Sequence, residues 1–222
     1  MISQDIFSFL SELKANNDRD WFNANKKRFE KLKKEANQFF KSIYDGLNKF
    51  DQVDSYKMFR IYRDVRFSAN KLPYKTHFSS SFHRQKPELR GGYYVHLEPS
   101  NSFLATGFWD PSKEDLFRIR KEFEIDDTPM REIIANKGIS NLWGELKGEE
   151  LKSSPRDFDG NHPAIDLIRK KQFIFTKQFK DKEVLDKNFE NVILDHFKAI
   201  RPYFDYMSEV LTTNLNGESL IN

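Results

Sequence analysis

Apolar residues near the start of the chain recur at the spacing of one helix face. Over residues 3–15 they follow the i, i+3, i+4, i+7 pattern, which predicts an amphipathic helix. The same spacing over residues 18–48, with lysines between the apolar positions, predicts a longer second helix. The polar run Asn16-Asn17-Asp18 separates the two and can cap the second. We therefore predict an N-terminal helical hairpin. Asn25 lies on its apolar stripe and needs hydrogen-bond partners, which the backbone of residues 60–76 is expected to supply.

After residue 56 the apolar spacing changes from that of a helix to that of a strand. Residues 57–67 alternate between apolar and polar positions, as a half-buried strand does, with Arg63 on the apolar side as the exception. Further strands are predicted over residues 77–83, 93–98, 103–109 and 173–178. Because the turns between the first four strands are short, they predict an antiparallel meander.

The rest of the apolar pattern predicts helices in the second half of the chain. They are expected over residues 111–123, 128–136, 163–170, 183–200 and 202–214. No repeat, low-complexity tract or linker divides the sequence. The predicted fold is therefore a single α+β domain over residues 1–222, with helices at both ends around a central antiparallel sheet.

Composition restricts the chemistry that is available. The 222 residues include no cysteine, which excludes disulfides, thiolate catalysis and zinc–thiolate sites. No apolar run approaches the ~20 residues that span a bilayer, and the first residues do not resemble a signal peptide. We therefore expect no membrane attachment and a cytoplasmic location. The common glycine-rich phosphate loops are also missing.

Positive charge is concentrated in the first part of the chain. Residues 1–90 contain 19 Lys and Arg against 11 Asp and Glu, whereas residues 91–222 contain 18 against 23. Residues 57–83 are especially rich in charge for a predicted pair of strands. Such a segment attracts an anion: a phosphate, a carboxylate or a nucleic-acid backbone. The alternative is two solvated faces of opposite sign.

The turn between the first two predicted strands is the best candidate for a ligand site. Guanidinium and ammonium groups that converge on one loop suit a phosphate or a carboxylate, and arginine provides bidentate geometry. The predicted ligand-binding residues are Arg60, Arg63, Asp64, Arg66, Lys71 and Lys75. Asp64 is expected to orient one of the arginines. The alternative is a structural ion pair between Asp64 and one arginine, with the lysines solvated.

Alternation also places polar residues of several strands on one sheet face, if the strand register allows it. His77 and His83 are candidates for a catalytic acid or base, because the unperturbed pKa of histidine lies near neutrality. A metal could use the donor atoms of His77, His83, His96 and Glu98, but their spacing matches no familiar ligand motif. We therefore predict no metal site and no cofactor. Whether the protein is an enzyme stays open, and a solvent-facing sheet surface is the alternative.

Four segments of the chain resemble one family. They are N-N-D-R-D-W-F-N-A-N-K-K-R-F-E at residues 16–30, R-I-Y-R-D-V-R-F-S-A-N-K-L-P-Y-K-T at residues 60–76, G-Y-Y-V-H-L-E-P at residues 92–99 and H-P-A-I-D-L-I-R at residues 162–169. In this order they are similar to the uncharacterised, mainly bacterial family called domain of unknown function 2461. The resemblance implies one full-length domain and a cytoplasmic bacterial protein. It implies no established reaction, cofactor or catalytic residue.

Three functions follow from these patterns. Binding of a small anionic ligand through the basic segment is the expected one. A non-catalytic protein-interaction module is the alternative. Direct nucleic-acid binding comes third, because the lysine-rich helix face lacks interleaved aromatic residues and includes Glu30 and Glu35.

Overall fold

The computed structural model describes residues 1–221 and shows an α+β fold. Over that range the chain forms ten α-helices and five β-strands. The helices are α1 (Gln4–Ala15), α2 (Arg19–Ala24), α3 (Lys26–Leu47), α4 (Lys113–Ile125), α5 (Thr128–Ala135), α6 (Lys137–Trp143), α7 (Ile165–Ile168), α8 (Asp181–Val184), α9 (Phe189–Ala199) and α10 (Arg201–Thr212). The strands are β1 (Val53–Met58), β2 (Phe78–Arg84), β3 (Gly92–Leu97), β4 (Ser102–Phe108) and β5 (Phe173–Phe179). Among the described residues, none of the helices is both long enough and apolar enough to cross a membrane.

The strands form an antiparallel meander. Within residues 1–221 they make one sheet of five strands in the order β1-β2-β3-β4-β5. The predicted fold class, a central antiparallel sheet with helices at both ends, is therefore confirmed. Period-two alternation is visible in β3, where Tyr93, Val95 and Leu97 are buried.

The N-terminal helices differ from the prediction at one position. The helix expected over residues 18–48 is divided at Asn25 into α2 and α3. The side-chain amide of Asn25 donates to the carbonyl oxygen of Trp21 at 3.0 Å, and its backbone leaves the helical conformation. The predicted cap is confirmed, since Asp18 accepts a hydrogen bond from the backbone N–H of Trp21 at 2.8 Å.

Contacts between Cα atoms divide the chain into two compact units. The first unit consists of Met1–Phe82, Tyr94–Leu104 and Gln178–Asp195. The second consists of His83–Tyr93, Ala105–Lys177 and His196–Asn222. Each unit is thus assembled from separate stretches of sequence. The single domain predicted over residues 1–222 stays a prediction.

The core of the first unit is largely aromatic. Phe22 is fully buried and stacks on Tyr74, with 4.0 Å between the ring centroids. Phe29 contacts Phe22 at 5.0 Å and Phe78 at 6.2 Å. These rings pack beside buried aliphatic residues such as Leu10 and Ile43, and each ring buries a large apolar area.

The second unit has an aromatic core of its own. Tyr203 on α10 is fully buried, and its hydroxyl donates to the carbonyl oxygen of Phe173 at 2.8 Å. The rings of Phe175 and Phe108 lie 5.2 and 6.0 Å from that of Tyr203. The phenol therefore satisfies its polar end while burying its ring.

Candidate functional site

The basic segment of residues 59–77 leaves the sheet soon after β1. The backbone N–H of Phe59 still donates to Ser79 in β2 at 2.9 Å. Beyond it the pairing partner changes: Arg63 N–H donates to the carbonyl oxygen of Pro73, and Lys75 N–H to that of Ile61. The strand predicted over residues 57–67 is therefore wrong beyond the end of β1. Its alternating pattern reflects pairing with the returning residues 73–75 rather than a sheet strand.

Contacts to the N-terminal helices hold this segment in place. The bridge between Tyr62 and Tyr74 turns both rings toward Phe22. Asn17 clamps the backbone of Tyr74, donating to its carbonyl oxygen at 3.0 Å and accepting from its N–H at 3.1 Å. The sequence predicted this role for Asn25, which instead binds the backbone of its own helical turn. Asn17 thus fixes the position of the backbone at Tyr74, next to the basic residue Lys75.

Three of the six predicted ligand residues bind one another or their own loop. Both carboxylate oxygens of Asp64 accept from the guanidinium of Arg66, at 3.0 and 2.6 Å. This hydrogen-bonded pair lowers the pKa of Asp64, although both side chains are largely exposed. Lys71 Nζ donates to the carbonyl oxygen of Val65 at 3.0 Å. Asp64, Arg66 and Lys71 therefore shape the exposed loop.

The other three, Arg60, Arg63 and Lys75, form what we call the cationic cluster. Burial lowers the pKa of Lys75, and the positive charges of Arg60 and Arg63 lower it further. Lys75 Nζ lies 5.3 Å from the ring centroid of Phe59, and Arg63 donates to Ser68 Oγ at 3.4 Å. Among residues 1–221, no carboxylate lies within ion-pair distance of these three side chains. Arg63 and Lys75 are half-buried, whereas Arg60 is exposed and its charge also acts on Asp64. Three positive charges are thus gathered here with no carboxylate in direct ion-pair contact.

A second group of polar side chains lies next to Lys75 and is called here the imidazole–carboxylate cluster. It consists of His77, His96 and Glu98, whose ligand-type N and O atoms all lie within 4.8 Å of one another. The rings of His77 and His96 are 4.0 Å apart between centroids, and His96 Nε2 lies 3.3 Å from Glu98 Oε2. His96 is buried and stacks on Phe103. Glu98 follows His96 at strand spacing, so both belong to the face of β3 that the alternation predicted.

Further hydrogen bonds orient this cluster. The hydroxyl of Tyr94 lies 3.0 Å from His96 Nδ1. Thr76 Oγ1 donates to Glu98 Oε1 at 2.6 Å, and Asn101 Nδ2 donates to Glu98 Oε2 at 2.8 Å. Each polar atom of Glu98 and His96 is therefore engaged, which restricts their rotamers.

The environment fixes the protonation states of the cluster. Burial, with a smaller contribution from the neighbouring His96, lowers the pKa of His77 to about 4. Burial also lowers the pKa of His96. Burial acts to raise the pKa of Glu98, but hydrogen bonds from Thr76, Asn101 and His96 outweigh it, so the net shift is downward. At neutral pH the cluster therefore consists of two neutral imidazoles and a carboxylate.

His83, the other candidate acid or base, lies elsewhere. It is exposed near the end of β2 and belongs to the second unit. On sequence alone His77 and His83 are equal candidates, because they stand at the two ends of the same predicted strand. Only His77 joins the imidazole–carboxylate cluster.

A cavity of about 840 Å³ opens within the first unit beside Arg60. It lies between α3 and the stretch that includes β1 and the start of the basic segment. Its lining combines aromatic rings with basic groups and includes Tyr56, Phe59, Tyr62, Lys33 and Lys34. The cavity is large enough for an organic molecule and presents both apolar and cationic contacts.

The fold and the two clusters define an α+β protein with a polar site on its first unit. The chain belongs to the family described as conserved hypothetical protein (DUF2461), whose profile matches residues 5–206. The family resemblance drawn from the sequence is thereby confirmed. A comparison with curated proteins gave no match, and a comparison with solved structures gave none either.

Proposed function

We propose that the protein binds a small anionic ligand, phosphate- or carboxylate-bearing, through Arg60, Arg63 and Lys75. The observation that carries the proposal is the gathering of these cations without a carboxylate partner among residues 1–221. Keeping the half-buried Lys75 protonated beside the positive charges of Arg60 and Arg63 costs free energy. An anion bound between them would recover that cost.

The geometry of the groups favours an oxyanion. Arginine presents paired N–H donors that match a carboxylate or a phosphate, and lysine adds a point charge. Asp64 and Arg66 neutralise each other on the loop, so they contribute less charge to the ligand than the sequence predicted.

The neighbouring cavity supports the proposal of a ligand with an organic body. Phe59, Arg60 and Tyr62 line a space of about 840 Å³, which greatly exceeds the volume of an inorganic ion. The ligand would place its anionic group on the cationic cluster and its apolar or planar part against these rings.

Calorimetric titration of the wild type and four variants tests the proposal. The ligands are inorganic phosphate, citrate and a nucleoside monophosphate. We expect at least one to bind, with the organic anions binding more tightly than phosphate. Replacing Lys75, Arg60 or Arg63 with glutamine should weaken binding about tenfold or more, because each removes a charged hydrogen-bond donor.

Arg66→Gln is the matched control. It removes the same charge from the same segment, but from a side chain already paired with Asp64, so binding should change by less than about twofold. If no anion binds, or if Arg66→Gln weakens binding as much as Lys75→Gln, the proposal is wrong.

The salt dependence of the binding affinity distinguishes a nucleic-acid ligand from a small anion. A single-stranded oligonucleotide that binds far more tightly than the nucleoside monophosphate, with affinity falling steeply in added salt, would overturn the small-ligand proposal. We also propose a cytoplasmic bacterial setting, which the family resemblance supports and with which the absence of cysteine is compatible.

A further inference from the structure

We propose that His77, His96 and Glu98 bind a divalent transition-metal ion. Their donor atoms come from three places along the chain: just before β2, within β3 and just after β3. All lie within 4.8 Å of one another, which is close enough for one ion to reach them after small rotamer adjustments. The inference does not rest on anion binding by the cationic cluster.

The separation of the donors agrees with shared coordination. Zinc holds nitrogen and oxygen ligands at roughly 2.0–2.2 Å, which places two tetrahedral ligands about 3.3 Å apart. His96 Nε2 and Glu98 Oε2 are 3.3 Å apart. Without a metal the same distance is a hydrogen bond or ion pair, so the experiment must distinguish the two.

The surrounding hydrogen bonds are those that a metal site requires. A histidine that ligates through Nε2 ordinarily donates its Nδ1–H to an oxygen, which fixes the tautomer. The Tyr94 hydroxyl lies 3.0 Å from His96 Nδ1 and can accept that bond. Thr76 and Asn101 hold the Glu98 carboxylate, so its orientation toward the imidazoles is set in advance.

Charge and ligand type select the class of ion. Two imidazoles and one carboxylate suit Zn²⁺, Fe²⁺, Co²⁺ or Ni²⁺ better than Mg²⁺ or Ca²⁺, which prefer oxygen ligands. Three protein ligands leave coordination positions for water or another molecule, as in catalytic rather than structural zinc sites.

The test titrates the chelator-treated full chain with Co²⁺ and with Zn²⁺. We expect one ion per chain and visible ligand-field bands of Co²⁺ that disappear on addition of Zn²⁺. Glu98→Gln and His77→Gln should each weaken binding about 100-fold or more, since even outer partners of a metal ligand contribute 10- to 100-fold. Tyr94→Phe should weaken it about tenfold by the same reasoning.

His83→Gln is the matched control, because it removes an exposed histidine outside the cluster and should leave the affinity unchanged. Thermal unfolding of the metal-free proteins checks that each variant is folded. Tyr94→Phe provides a milder change should a ligand variant not fold. The inference fails if the wild type takes up no stoichiometric ion, or if the two ligand variants bind Co²⁺ as tightly as His83→Gln does.

Discussion

Replacing Arg84 with methionine should lower the free energy of unfolding by about 3 kcal/mol. The Arg84 side chain is fully buried in the second unit and lies over the ring of Phe204, 4.8 Å from its centroid. Its guanidinium donates to the carbonyl oxygen of Arg90 at 3.0 Å and to Ser208 Oγ at 3.2 Å. It also pairs with Asp205 at 3.4 Å. Methionine fills similar space but donates no hydrogen bond.

The magnitude follows from what remains after the change. Removing one partner of a fully buried ion pair costs about 3–5 kcal/mol because the other charge is stranded. Asp205 is 54% exposed, however, so water can solvate its carboxylate. The cost therefore comes mainly from Ser208 and the carbonyl group of Arg90, which lose a charged donor worth about 1.5–3 kcal/mol per bond. We therefore expect a loss of about 3 kcal/mol in the free energy of unfolding, the lower end of the range for breaking a buried ion pair.

Urea unfolding followed by circular dichroism measures this cost. Asp205→Asn is the comparison, because it removes the exposed carboxylate that pairs with both Arg84 and Arg201. It should cost only about 0.5–1 kcal/mol, since exposed ion pairs contribute little. If Arg84→Met costs less than Asp205→Asn, the buried guanidinium does not hold this part of the second unit together, and the reasoning is refuted.

Three further predictions concern other parts of the chain. Gly107→Ala should destabilise the protein by about 2–4 kcal/mol in urea unfolding, because φ is +120° and a Cβ would lie 2.2 Å from the carbonyl oxygen of Phe173, a backbone atom that cannot rotate away. Asp166→Asn should cost about 0.5 kcal/mol at pH 7. The hydrogen-bonded guanidinium of Arg131 lowers the pKa of Asp166 in the folded state, so this stability is present above the pKa of the unfolded aspartate. It is lost as the pH falls through the lowered value, and the two unfolding curves should converge there; a constant difference would contradict the assignment. Zn²⁺ should tighten anion binding because it adds positive charge beside Lys75, and by linkage the anion should tighten Zn²⁺ binding by the same factor. Calorimetry in which Zn²⁺ leaves the anion affinity unchanged would contradict coupling between the two clusters.

Alternation along a strand predicted which residues share a face but not which segments pair. On β3 it correctly placed His96 and Glu98 on one face, because every second residue of a strand points the same way. Over residues 57–67 the same alternation predicted a sheet strand. Residues 57 and 58 do belong to β1, but beyond them the chain pairs with residues 73–75 through Tyr62 and Tyr74. A short hairpin and a sheet strand require the same period, so the sequence pattern cannot distinguish them.

No motif based on spacing along the chain predicted the imidazole–carboxylate cluster, for a related reason. Familiar metal motifs describe ligands on one helix or one turn, where the distance along the chain fixes the distance in space. His77 reaches His96 across the sheet, from the residue before β2 to the middle of β3. The signal that could have been used was the pairing of β2 with β3 in a meander, which brings these histidines near each other once the register is known. The sequence predicted the meander but not that register.

The count of charged residues has a different limitation: it cannot tell which cations of the basic segment interact with a ligand. The excess of Lys and Arg in residues 1–90 correctly drew attention to the basic segment, but it weighted all of its cations equally. In the structure the Asp64 carboxylate neutralises the charge of Arg66 on an exposed loop, and Lys71 Nζ donates to the backbone of the same loop. Lys75 differs because burial lowers its pKa in the presence of Arg60 and Arg63. The interaction of a charge with a ligand grows as the local dielectric constant falls, so partial burial decides which cations matter. The burial of Lys75 depends on contacts such as that with the Phe59 ring, and those contacts are settled only by the tertiary fold.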